Sequence, residues 1–364
     1  MRQGIAVFGC LLVAAATVHA QDQVLVKGKK AVNGNIATEN VKGVTFKSGD
    51  FFAGDDVDDI IYELNAKNTP AQTTQTNIAY RGARDLEKAS LEGKEGERKA
   101  KIASAIKEYA DVSAKVTDKL IKRHLEYKAV ALRARQASED GLAPEAAVKQ
   151  LVAYAGKNSS AWQSVQALKT AARIAQDLGD FPQTEAIYLQ LAEMDLSPDL
   201  KLDYELQSAL VSVQSGKFDA AMKKLKALET KMPKGSRQAV RAQVAQAECL
   251  ANAKKIDEAI AMVKPILKDV TDKAGKAAAY NTLGYCYFQK EDFKQARWEF
   301  LWVDVVYNQD RKEHAKALYY LTQTFEKMNE PEKAQECREA LLGDKAFAGT
   351  EWVRKLQKAA PKTP

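Results

Sequence analysis

The chain has 364 residues, 46% of them hydrophobic and 28% charged, with a formal net charge of +7; that is ample for a packed core and long for one small domain. Lys and Arg are mixed with Asp and Glu along the whole length, a solvated surface and not the basic stripe of a nucleic-acid binder. Gly (19) and Pro (9) are scarce beside Ala, Lys, Leu and Glu, a mixture that loses little rotamer freedom in helices.

Residues 1–20 read as a secretory signal peptide. Arg2 supplies the positive start, Ile5 to Val18 the mostly apolar run, and Val18-His19-Ala20 a small-x-small cleavage site before Gln21. The run is shorter than the roughly 20 residues of a membrane span. Cleavage before Cys10, as in a lipoprotein, would leave too short an apolar core, because the run continues through Leu11, Leu12 and Val13. Cleavage after Ala20 removes one positive charge, leaves no transmembrane segment, and places the mature chain in the periplasm or cell envelope, or outside the cell.

Residues 21–64 differ from all that follows. Val24 to Val26, Ile36 to Thr38, Val44 to Phe46 and Ile60 to Tyr62 are short β-prone runs separated by turn signals at Gly28, Asn33-Gly34 and Ser48-Gly49-Asp50. They predict a small SH3-like or Sm-like β module, similar to the modules that precede some exported bacterial repeat proteins. Asp55, Asp56, Asp58 and Asp59 lack calcium-loop spacing and read as a solvated acidic loop. Residues 65–77 are polar and read as a linker, and residues 78–125 as an irregular helical start.

From residue 126 to 345 the sequence repeats. Pro144-Glu145-Ala146-Ala147, Phe181-Pro182-Gln183-Thr184, Phe218-Asp219-Ala220-Ala221, Ile256-Asp257-Glu258-Ala259, Phe293-Lys294-Gln295-Ala296 and Pro331-Glu332-Lys333-Ala334 occupy one slot, and every interval between them is 37 or 38 residues. Each unit predicts a helical hairpin. Tyr280, Leu283 and Tyr287 lie on one stripe of a first helix, and Ala296, Phe300 and Val303 on one stripe of a second. The small residue that ends each quartet sits where the two helices cross closely. Residues 346–364 read as a C-terminal cap helix with a frayed tail.

The clearest unit, Tyr280-Asn281-Thr282-Leu283-Gly284-Tyr285-Cys286-Tyr287 followed by Phe293, Ala296 and Phe300, resembles the tetratricopeptide repeat (TPR) family. The last unit resembles it through Leu318, Leu321, Phe325, Ala334 and Leu341, and departs at Thr322, where the family prefers Gly, and at Arg338, where it prefers an aromatic. The resemblance implies a mainly α fold, a right-handed superhelix of hairpins, whose first helices line a concave groove suited to a protein or peptide partner. In that register Asn281, Tyr285, Phe288 and Gln289 face the groove. So do Lys316, Tyr319, Gln323 and Glu326 on the following unit, and Arg241, Val244, Glu248 and Asn252 on the preceding one. Cys249 and Cys286 share one buried slot on neighbouring first helices, too far apart for a disulfide, and Cys337 lies on a second helix; all three read as free core thiols.

No catalytic constellation is evident. The mature chain keeps only His124 and His314, with no His-Glu-x-x-His, no Gly-x-Ser-x-Gly, no phosphate loop and no dinucleotide fingerprint. Cys337 with His314 is a conceivable pair, but the sequence offers no third group to orient it. The reading is therefore a non-enzymatic scaffold of the cell envelope, requiring no cofactor or metal, not binding nucleic acid, and forming an envelope complex through its groove. The alternative is capture of a polysaccharide or other anionic polymer by Lys27, Lys29, Lys30, Lys42 and Lys47 of the β module.

Overall fold

The computed structural model describes residues 21–64 and 70–359. The signal-peptide segment, the first part of the linker and the last five residues lie outside the described residues.

Six strands open the fold: β1 (Asp22–Val26), β2 (Val32–Gly34), β3 (Ile36–Asn40), β4 (Gly43–Phe46), β5 (Phe51–Ala53) and β6 (Val57–Ile61). They form two antiparallel three-stranded sheets, ordered β2-β1-β6 and β3-β4-β5. Strand β1 alternates buried and half-buried positions, as a strand with one covered face must. The two strands absent from the sequence reading, β2 and β5, have three residues each and carry no periodicity of their own. Pro70 occupies the first position of α1 (Pro70–Ala89), where its missing N–H costs nothing, so residues 70–77 of the stretch read as linker are helical.

The rest is helix: α2 (Glu95–Lys115), α3 (Lys119–Asp140), α4 (Pro144–Lys157), α5 (Trp162–Leu178), α6 (Phe181–Glu193), α7 (Pro198–Gln214), α8 (Phe218–Glu229), α9 (Arg237–Asn252), α10 (Ile256–Asp269), α11 (Lys273–Gln289), α12 (Phe293–Leu301), α13 (Arg311–Lys327), α14 (Pro331–Gly343) and α15 (Glu351–Ala359). A π-helical turn, Trp302–Val306, extends α12. Hairpins α5–α6 to α13–α14 follow one local plan. The first helix ends, one residue adopts a left-handed backbone, and a second helix begins, capped by an aspartate side chain in α6 and α12. Gly179 ends α5 at φ 79°, and Asp180 then accepts from the Gln183 N–H at 3.1 Å to open α6. The left-handed residues fall at Gly141, Gly179, Gly216, Lys254, Glu291 and Asn329, again every 37 or 38 residues.

First helices stack on first helices, α7 on α9, α9 on α11 and α11 on α13. The buried side chains divide into successive clusters that each span neighbouring hairpins, the nearest-neighbour packing of a solenoid. The small quartet residues Ala147, Thr184, Ala221, Ala259, Ala296 and Ala334 are all buried at the crossings. Gly284 shows why the family signature carries Gly there: a Cβ added to it would lie 2.7 Å from the Phe300 ring. In the next unit the Phe300 slot holds Arg338. Buried Thr322 then fits in the Gly284 slot, donating its hydroxyl to the Leu318 carbonyl at 2.9 Å. The two departures from the family pattern thus compensate each other.

The β module and α1–α3 share one core, in which Val24, Val44, Phe46 and Ile60 pack with Tyr80, Ile102, Tyr109, Leu125 and Trp162. Two carboxylates fasten it. Buried Glu39 accepts from the Tyr62 hydroxyl, from Arg123 Nη2 at 2.9 Å, and from Trp162 Nε1 and Gln163 Nε2 at 3.1 Å each. Asp59 accepts from Arg84 Nη1 at 2.9 Å and Lys128 Nζ at 3.3 Å, and lies 3.2 Å from His124 Nε2. Asp59 is therefore an ion-pair hub and not part of the solvated loop its sequence surroundings predict. Asp56 and Asp58 remain exposed.

Two outcomes follow from this packing. Gly284→Ala is expected to cost about 2 kcal/mol by overpacking, read by urea unfolding, and Phe300→Leu in the same chain to recover part of it; strict additivity would show that the two sites do not meet. Asp59→Asn leaves Arg84 short of a countercharge, while Lys128 keeps Glu87 at 2.7 Å, and is expected to cost about 3 kcal/mol at neutral pH. Burial alone would raise the Asp59 carboxyl, but the His124 contact and the charges of Lys128, His124 and Arg84 hold it well below the usual carboxylate range. A carboxyl lowered by folding contributes fully above its unfolded value of about 4 and loses that contribution as pH falls towards the folded value. The stability gap between wild type and D59N should hold down to about pH 5 and shrink in stronger acid; a gap that widens in acid would reverse the assignment.

Candidate functional site

The first helices curve around a cavity of about 970 Å³. Its wall takes Asp203 from α7, Arg241 and Glu248 from α9, Tyr285 from α11 and Lys316 from α13. The far side is closed by the end of α5, with Gln176 and Asp177, and by residues 349–355 leading into α15.

The charges on the wall are largely cross-paired between first helices. Arg241 Nη1 lies 3.4 Å from Asp203 Oδ1, and Lys316 Nζ donates to Glu248 Oε2 at 2.9 Å. Burial alone would lower the Lys316 ammonium, but Glu248 and Glu313 outweigh it and raise it. Burial pushes the Glu313 carboxyl above its ordinary range, and Asn281 Nδ2 donates to its Oε2 at 2.7 Å and to its backbone carbonyl at 2.8 Å. Trp352 of α15 lies between two ammonium groups, Lys355 at 4.1 Å and Lys316 at 5.7 Å from the ring centroid.

The groove is not an open trough. Lys312 Nζ donates to Gln176 Oε1 at 2.8 Å, across 136 positions of sequence. Arg354 Nη1 donates to the Asp177 carbonyl and, at 2.7 Å, to that of Gly349. The last helix is thereby tied to the end of α5, and the array becomes a ring around its lumen. Burial raises the Asp177 carboxyl and lowers the Lys312 ammonium at this seam.

Of the residues that sequence register aims at the groove, Tyr285 and Lys316 stand on the lumen wall, together with Arg241, Val244, Glu248 and Asn252. Asn281 is fully buried behind it, holding Glu313. Gln289 donates to the Tyr285 hydroxyl at 2.8 Å, and that hydroxyl donates to Asn252 Oδ1 at 3.0 Å. Phe288 packs on Tyr320 at 5.9 Å and Tyr319 on Trp352 at 5.3 Å between centroids, while Gln323 is half-buried and Glu326 exposed, bound to Arg338. Sequence reasoning did not find Asp177, Lys312, Trp352 or Arg354. Their roles come from ring closure, which brings together residues far apart in the chain.

The three thiols are free and buried. Burial pushes Cys249 and Cys286 up to about 12 and Cys337 up to about 11, which keeps them un-ionised and poor nucleophiles at neutral pH. His314 does have an orienting carboxylate, Asp304, 2.7 Å from Nε2, a group the sequence reading did not identify. Its presence activates nothing, since the Cys337 thiol stays protonated. The lysines of the β module are all exposed; Lys42 lies 3.2 Å from Asp195, and Lys27 donates to the Asp55 carbonyl at 2.7 Å.

No family model matches the chain, and no curated protein matches it. Among solved structures, a tetratricopeptide repeat protein from Parabacteroides merdae ATCC 43184 is 13% identical and superposes with a TM-score of 0.52 over 76% of this chain and 99% of its own. A Rap protein complexed with competence and sporulation factor is 15% identical, with a TM-score of 0.49 over 78% of this chain and 80% of its own. The first likeness establishes the fold: a TPR-like α-solenoid preceded by a small β-rich segment.

If the seam closes the ring, Arg354→Ala should speed amide exchange about fivefold or more in residues 349–359 and the last turn of α5, with α7 to α10 unchanged. Hydrogen–deuterium exchange mass spectrometry reads this directly, and uniform exchange in the variant would show that the seam closes nothing.

Proposed function

We propose that this TPR-like solenoid is a non-enzymatic interaction scaffold that holds a segment of a protein partner in its lumen. One observation carries the reading: a cavity of about 970 Å³ faced by side chains of four successive first helices and roofed by α15. Its size is near the upper end for enclosed ligand sites, which suits a short extended segment more than a folded domain. The wall offers what such a segment needs: Arg241, Glu248 and Lys316 for charges and backbone groups, Tyr285 and Tyr320 for apolar contact. The buried, protonated thiols and the cross-paired charges support a binding role over a chemical one.

The setting we propose is the bacterial cell envelope, with the chain exported and then cleaved after Ala20. This part rests on the residue pattern of positions 1–20, and it makes the partner another exported or envelope protein.

A photo-crosslinking residue placed at Gln207, on the lumen wall, should yield a defined adduct in native cells, whereas the same residue at Lys223, exposed on α8, should not. Arg241→Glu together with Lys316→Glu should weaken the Gln207 adduct at least about tenfold, the loss of two charge-assisted contacts. Equal adducts from both positions would remove the lumen as the binding site.

A further inference from the structure

The outer face of the solenoid carries a feature the lumen does not account for. Large apolar side chains are exposed at twelve described positions, and four of these fall within nine residues: Trp298 (56% exposed), Trp302 (46%), Val305 (69%) and Val306. Trp298, Trp302 and Val305 follow helical spacing on the face opposite Ala296, Phe300 and Val303, which point into the core. The π-helical turn at Trp302–Val306 widens the helix where this stripe ends. Tyr280 and Tyr307 extend the patch: Tyr280 stacks on Trp302 at 5.9 Å and on Tyr307 at 5.5 Å between centroids.

Cations rim the patch. Arg297 lies 5.3 Å from the Trp298 ring centroid and Lys276 5.8 Å from that of Tyr307, while exposed Lys264 of α10 lies close enough to act on Glu299. The nearby acids offer little opposing charge. Burial pushes Glu299 up to about 7, so only about half of it is ionised at neutral pH, and Asp304 is engaged with His314. Arg297 is itself paired with Glu330 at 3.7 Å, so Lys264 and Lys276 supply the rest of the positive rim.

We propose that this aromatic stripe docks on a lipid surface bearing anionic headgroups. The chemistry matches: Trp and Tyr rings settle at the boundary between headgroups and acyl chains, and Lys and Arg beside them meet the headgroup charge. Neither tryptophan lines the lumen or the smaller pocket beside α1, and a bilayer requires no matching shape, unlike the seated hot spots of protein interfaces. No helix among the described residues is long and apolar enough to cross a membrane, so this contact is peripheral. It lies on the convex side and leaves the lumen open to its own occupant.

The chain contains its own reporter. Its four tryptophans are residues 162, 298, 302 and 352, and Trp162 and Trp352 are buried, so quenching by lipid reads Trp298 and Trp302 and is blind to the apolar run at residues 5–18. The full chain is mixed with vesicles of phosphatidylglycerol and phosphatidylcholine carrying brominated acyl chains. Expected are quenching and co-sedimentation that depend on phosphatidylglycerol, a loss of binding of about tenfold or more in W298A/W302A, and weaker dependence on phosphatidylglycerol in K276Q/R297Q. Trp298 and Trp302 are exposed while Lys276 and Arg297 are half-buried, and an unchanged circular dichroism spectrum certifies the fold of each variant. Absence of quenching, or equal binding by W298A/W302A, would overturn the proposal. Self-association abolished by W298A/W302A in sedimentation velocity, with no vesicle binding, would also overturn it and assign the patch to a second copy of the chain.

Discussion

One backbone constraint recurs through the helical array: a residue in the left-handed region follows the first helix of each hairpin. It sits at Gly141, Gly179, Gly216, Lys254, Glu291 and Asn329. Because the bend is the same each time, each hairpin hands the chain to the next at a similar angle, and the first helices accumulate curvature in one sense. Two of these positions are occupied by Lys and Glu, residues that enter this conformation at a cost of roughly 1 kcal/mol or more. That the turn survives there shows the stacking to be stronger than the local preference. The lumen exists because the bend recurs in every hairpin, with Ala143 adding a second left-handed residue between α3 and α4.

A repeated bend needs a fixed start. Here the start is supplied by two carboxylates of the β module, Glu39 and Asp59, which bind side chains from α1, α3 and α5. Buried charges of this kind are weak contributors to net stability but severe when left unpaired, so they specify one docking of module on helices and penalise all others. The β module thus docks along the helices as far as α5: Val41 joins a cluster with Ala134, Leu151 and Leu168, and Lys169 pairs with Asp55 at 2.9 Å.

The hairpins, their period and the small residues at their crossings were legible because they depend on side chains close in sequence. Gly284 and Phe300, or Thr322 and Arg338, lie on the two helices of a single hairpin, and the pattern exposes both. The register of the groove was legible only in part. Asn281 and Tyr285 lie one turn apart on α11, yet Asn281 faces the adjoining first helix and Tyr285 the lumen, because periodicity separates core from surface but not one partly covered face from another. Asp59 read as solvated because its neighbours in sequence are acidic, while its partners Arg84 and Lys128 stand 25 and 69 positions away. The exposed tryptophans of α12 were likewise hidden: Trp298 and Trp302 are ordinary apolar letters until the structure shows which face is uncovered.

Nearly every contact in this molecule joins residues within about two hairpins of each other, so most of it can assemble by local zippering. The bond from Arg354 to the Asp177 carbonyl is different, since it joins positions 177 apart. That contact has to wait for the intervening hairpins to form and set the span between its two ends. It is then made by a prefolded arc and not by a flexible loop, which spares most of the entropy a chain closure of that length would cost. The seam therefore depends on the geometry of every hairpin between its two ends, so a change in any one of those bends is felt at the Arg354–Asp177 contact.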